Sequence, residues 1–180
     1  MINKYKRWYY KFLNHFKLTH QLEDPNSIYN QISEGVNFKG TNLWILMCST
    51  LVCSVGLNMN STAVVIGAML ISPLLGPING IGYSIAVYDI KLFKKSLNNF
   101  LFAIITAFLS ATLYFIITPI STAQTELLAR TSPTIYDVLI ALFGGTAGII
   151  AMSTKTKGTV IPGVAIATAL MPPLCTAGYG

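Results

Sequence analysis

Four long stretches of this chain carry no Asp, Glu, Lys or Arg: residues 40–88, 96–125, 138–154 and 158–180. Their lengths decide the fold class, because a helix needs about 20 mainly apolar residues to cross a bilayer. The first stretch has room for two crossings and each of the others for one. The expected spans lie near 41–57, 63–88, 96–118, 135–153 and 158–180. In lipid only helices and closed barrels satisfy the backbone, and these runs do not alternate with period two. The expected fold is all-α, a polytopic membrane bundle of about five transmembrane helices over residues 40–180. Charged residues make up 10% of the 180, against about 25% in a soluble globular domain. So few charges do not cover a water-facing surface, which excludes an ordinary soluble enzyme and a disordered chain.

The formal net charge of +6 does not point to nucleic acid, because of where the cations lie. Lys4, Lys6, Arg7, Lys11, Lys17 and Lys39 precede the first span; Lys91, Lys94 and Lys95 follow the second; Lys155 and Lys157 follow the fourth. With a cytoplasmic N-terminus all of these are inside and only Arg130 is outside, as the positive-inside rule requires. A cleavable signal peptide is not expected, since the first apolar run begins only near Thr41.

Residues 1–39 read as a separate cytoplasmic, amphipathic segment. On a helical wheel over 4–17, Tyr5, Trp8, Tyr9, Phe12, Leu13 and Phe16 take one side and the five basic residues the rest. Such a helix lies in the headgroup layer against anionic lipid, or packs on the protein's own cytoplasmic surface. After Glu23-Asp24-Pro25, a second short helix is expected with Asn26 or Ser27 as its cap and Gly35 at its end. Its Ile28 and Ile32 share a face, and it too is expected at the interface.

The chain also matches itself. Residues 67–83, GAMLISPLLGPINGIGY, align with residues 163–179, GVAIATALMPPLCTAGY, at a constant offset of 96. Gly67 pairs with Gly163, Ser72 with Thr168, Pro77 with Pro173 and Tyr83 with Tyr179. The preceding spans correspond at the same offset. On the charge-derived topology the two copies run in opposite senses, an inverted repeat with Gly/Pro-interrupted helices, as in many secondary transporters. Proline removes an N–H and clashes with the preceding turn, so Pro73, Pro77, Pro172 and Pro173 are expected to break the second and fifth spans. Freed backbone groups at membrane depth must find neighbours, water or a bound species. The candidate path for a solute or ion is Ser72, Pro73, Gly76, Pro77, Asn79, Thr168, Pro172 and Pro173. The competing reading is packing alone: Gly76 with Gly80, and Gly144 with Gly148, form GxxxG faces that let helices approach.

Three runs now carry a resemblance: 56–78, GLNMNSTAVVIGAMLISPLLGPI; 163–174, GVAIATALMPPL; and 126–150, ELLARTSPTIYDVLIALFGGTAGII. They resemble the uncharacterised hydrophobic membrane-domain family known as domain of unknown function 389, over roughly residues 41–180. The resemblance implies a bacterial-type multi-pass membrane protein of the cytoplasmic (inner) membrane and supplies no site residues. Members of that family usually continue past the Pro-Pro motif into a further span, so this chain reads as truncated at Gly180.

Other chemistry is thin. His15 and His20 both fall in the N-terminal segment, and the span cysteines Cys48, Cys53 and Cys175 have no CxxC spacing. No acidic pair sits within a span, so no catalytic, cofactor or metal site is expected, and the chain is read as a non-enzyme. Asp137 borders the fourth span. Thr134-Ile-Tyr-Asp137 has capping-box spacing, and the other reading is a functional intramembrane acid. Expected partners are the bilayer, anionic headgroups at the basic helix and a second copy of the chain, with no nucleic acid. Two functions follow: a transporter or channel-like protein for a neutral solute or a cation held by carbonyls, or a non-transporting scaffold or sensor module.

Overall fold

A computed structural model describes residues 22–38, 40–118, 125–129, 131–132, 134–154 and 163–179, with the side chains of 151 and 163–169 outside the description. The basic helix expected over 4–17 and its lipid contact lie outside the described residues. The described elements are α1 (Pro25–Gly35), α2 (Thr41–Asn58), α3 (Thr62–Ile71), α4 (Leu75–Ala86), α5 (Ile90–Ile117), α6 (Thr125–Ala129), α7 (Ile135–Ser153) and α8 (Gly163–Ala177). Among the described residues the only β pairing is one antiparallel bridge, Leu22 with Thr154.

By length and composition α2 and α5 are able to cross a membrane, and α3 with α4 forms a third candidate bent by 59° at a short break. The described apolar stretch of α7, Ile135–Ile150, is shorter, and α8 runs for 15 residues. Outward faces fit lipid: Trp44 on α2 is 67% exposed, and Leu101, Ile105, Leu109 and Ile116 form an exposed apolar stripe on α5.

The core lies where α2, α3, α5 and α8 meet. Leu46, Cys53 and Leu57 of α2 pack with Val65, Ala68 and Met69 of α3 and with Met171 and Cys175 of α8. From α5 come Ala103, Ala107 and Ala111, four residues apart on one face. Lipid tails are as apolar as leucine, so tight van der Waals contact between small faces is what holds such helices together. The hydroxyls of Ser49, Thr50 and Ser54 are buried in α2 and donate to carbonyls three or four residues back.

The turns are built from left-handed residues. Asn60, at φ 53°, follows α2, with Ser61 N–H donating to Gly56 carbonyl at 2.9 Å and Asn60 N–H to Leu57 carbonyl at 3.3 Å. That is a Schellman closure with asparagine in the glycine position. Tyr88, at φ 56°, closes α4 the same way: Asp89 N–H donates to Ser84 carbonyl at 2.9 Å. Asp89 then caps α5, accepting from the N–H groups of Lys91 and Leu92 at 2.9 and 3.0 Å.

Two local expectations need correction. The start of α1 is Pro25, with Asp24 in the cap position, not Asn26 or Ser27; proline fits the first helical residue because that N–H has no partner anyway. Ile32 is the buried residue of α1, and the helix packs on α4. Pro172 and Pro173 lie inside α8 and do not interrupt it. Met171, Pro172 and Cys175 are all buried, and that packing holds the helix across its two missing N–H groups.

Candidate functional site at the α3–α4 break

The break begins at Ser72. A residue before proline is steered to extended backbone by the pyrrolidine ring, and Ser72 has φ −66° and ψ 127°. Its N–H still donates to Met69 carbonyl at 3.2 Å, and there α3 stops. Pro73 alone supplies the interruption. Pro77 was expected to contribute, yet it sits in the first turn of α4, where a missing N–H is harmless.

Ser72 is 8% exposed, and its Oγ has no hydrogen-bond partner among the described residues. A buried hydroxyl left in that state costs about 1–3 kcal/mol. Leu74, between the two helices, is fully buried in the core with Met69, and Met171 and Cys175 of α8 belong to the same cluster. Helix α3, which ends at this break, packs on α8, which carries Pro172 and Pro173. Pro172 is buried and Pro173 exposed. Thr168 lies on α8, with its side chain outside the described residues.

The remaining path candidates turn elsewhere. Gly76 meets the backbone of Gly35 at the end of α1, and a Cβ on Gly76 would collide with the Gly35 carbonyl. Gly80 meets Val36 and Ser96. Asn79 donates its amide to Met152 Sδ of α7 at 3.0 Å. Of the eight predicted residues, Ser72, Pro77 and Pro172 are buried, whereas Gly76 and Asn79 meet α1 and α7.

Sequence reasoning missed Asn99, whose Nδ2 donates to Val36 carbonyl at 2.8 Å, and Tyr29, whose hydroxyl donates to Asp89 Oδ2 at 3.1 Å. Each partner lies about sixty residues away in sequence, and no local pattern announces it. At the opposite end of the bundle, Asn60 Oδ1 accepts from Thr125 Oγ1 at 2.9 Å and from Glu126 N–H at 3.0 Å. Asp137 takes the capping role: Thr134 N–H and Oγ1 donate to its Oδ2 at 2.7 and 2.9 Å. Among the described residues no group of three or more His, Cys, Asp or Glu is placed to hold a metal.

The family model described as domain of unknown function (DUF389) matches residues 69–180, which include both proline motifs. The chain belongs to this family. An uncharacterized protein of Methanocaldococcus jannaschii is 32% identical to it over 151 residues, 84% of this chain and 47% of the relative. The chain thus spans about half the length of that curated relative. No solved structure matches. For the DUF389 family, then, the apolar helices described above are compatible with a membrane protein, and the break at Ser72 falls within the matched region.

Proposed function

We propose that this chain is a non-enzymatic, multi-pass membrane domain that carries a small neutral solute or a cation past the α3–α4 break. The observation that carries this reading is the Ser72 hydroxyl, buried and unpartnered beside a proline break. Two adjacent prolines in α8 also leave the carbonyls of Thr168 and Ala169 without their usual helical donors. Residues 40–88 and 158–180 carry no Asp or Glu, and hydroxyl and carbonyl oxygens alone suit a neutral solute or a weakly held cation.

Five spans in an inverted repeat remain the organising idea. The offset of 96 maps α2 onto α7 and the α3–α4 pair onto α8. Support comes from the packing, because α2 packs on α3, α7 on α8, and α3 on α8. With the lysines of 91–95 and 155–157 inside, the N-terminus is cytoplasmic and the two copies are threaded in opposite directions.

The test is flux into liposomes holding the full chain, with potassium, sodium and a neutral solute as probes. Ser72→Ala is expected to lower flux at least about tenfold while thermal stability holds or rises, because the substitution removes an unpaired buried hydroxyl. Unchanged flux in folded Ser72→Ala protein, or no flux in the parent, overturns the proposal.

A further inference from the structure

We propose that residues 22–38 form a strap that ties the end of α7 to the α4–α5 corner and so holds the α3–α4 bend in place. The restraint is conformational and holds whether or not the domain transports anything.

The strap makes contacts at both of its ends and along its length. At its start, Glu23 N–H donates at 2.9 Å to the carbonyl of Ser153, the last residue of α7, beside the Leu22–Thr154 bridge. In the middle, the Tyr29 hydroxyl donates to Asp89, the cap of α5, and the Tyr29 ring lies 6.3 Å from that of Tyr83 on α4. At its end, Gly35 touches Gly76 backbone to backbone, and Val36 carbonyl accepts from Asn99 of α5. Val36 and Phe38 are buried. Reading from Tyr29 to Gly35, the strap meets α4 from Tyr83 back to Gly76, so it runs antiparallel along α4 up to the break.

Those contacts join segments that belong to different copies of the 96-residue repeat. The end of α7 lies in the second copy, and α4 lies in the first. Asn79 to Met152 is a direct bond between the same two elements, and the strap spans it on either side. A helix bent by 59° at a single proline has little of its own to fix the angle. The backbone contact at Gly76, four residues past Ser72, supplies that restraint.

The Gly35–Gly76 contact is asymmetric, and the asymmetry makes the proposal testable. A Cβ on Gly35 would lie 3.8 Å from Gly76 Cα, an ordinary contact, whereas a Cβ on Gly76 would strike Gly35 backbone. The experiment is hydrogen–deuterium exchange on the full chain in lipid nanodiscs, following amides of 32–38, 69–80 and 150–154. Gly76→Ala is expected to speed exchange in all three segments together, with Gly35→Ala matching the parent. Asn99→Ala, which removes one hydrogen bond and adds no clash, is expected to speed the same three segments up to about tenfold and serves if Gly76→Ala does not fold. Faster exchange confined to 32–38, or equal effects of Gly35→Ala and Gly76→Ala, overturns the proposal.

Discussion

Tyr88 occupies left-handed backbone, at φ 56°, and is 92% exposed. A non-glycine residue there costs about 1–2 kcal/mol, and its ring recovers little of that by packing. Tyr88→Gly is therefore expected to raise stability by about 0.5–1 kcal/mol, since glycine's own unfolded-state entropy offsets some of the relief. Denaturation in detergent measures it. Next to it, hydrogen bonds to Asp89, led by the one from Leu92 N–H, hold that carboxyl below its usual value of 3.8, with Tyr29 and Lys91 adding to the effect. The sign follows: the cap's contribution is full above the ordinary carboxylate range and is lost as pH falls through the lowered folded value. Hydrogen bonding to Asp89 pushes Tyr29 above its ordinary 10.0, so that hydroxyl stays a donor until pH rises through its raised value. Asp89→Asn is expected to flatten the acid side of a stability-against-pH curve. At the start of α7, Asp137→Ala is expected to cost about 1 kcal/mol in the same assay. That cap was visible in the spacing of Thr134 and Asp137, whereas the bond between Tyr29 and Asp89 was not.

At the scale of helices, glycines separate close contacts from open ones. A Cβ on Gly56 would lie 2.9 Å from Val65 Cγ2 and 3.0 Å from Val65 N, where α2 presses on α3; on Gly67 it would meet nothing within 4 Å. Gly56→Ala is expected to destabilise by about 1–3 kcal/mol through overpacking, and Gly67→Ala to stabilise by about 0.5–1 kcal/mol through helix propensity. Thermal unfolding of the two variants side by side checks the pair. Pro73→Ala frees Ser72 to turn helical but leaves the strap in place, so it is expected to straighten α3 against α4 only when combined with Asn99→Ala, read as a longer distance between spin labels at positions 62 and 86. Pro77→Ala is expected to leave that distance unchanged, because Pro77 lies in a first turn. Helix positions were legible in the sequence because charge-free runs and their bordering ions mark them: 41–57 became α2 and 135–153 became α7. The effect of each proline was not. Proline breaks a helix according to its place in the turn and the packing around it, and the buried neighbours of Pro172 are set by helices distant in sequence.

At the scale of the whole molecule, the charge pattern makes a prediction that needs no fold. In a background with Cys48, Cys53 and Cys175 replaced by serine, single cysteines replacing Lys94 or Lys157 are expected to react with an impermeant thiol reagent only from the cytoplasmic side, and one replacing Arg130 only from the other. Reaction of Lys94→Cys from outside would reverse the threading. The charge-free runs and the charges were readable along the chain; the strap was not, because Gly35, Val36 and Asn99 carry no motif and acquire meaning only when α4 and α5 meet them. The α4–α5 corner has a mechanical consequence of its own. Tyr88 closes one helix and Asp89, the very next residue, opens the other, so no slack chain absorbs movement between them. Helix α5 has 28 residues and is about 42 Å long. Rocking it by about 10° about that corner sweeps its far tip through about 7 Å. Phe115 stacks edge-on against Tyr179 at that tip, with ring centres 5.4 Å apart. A small swing at one end of this lever is enough to pull that aromatic pair apart at the other.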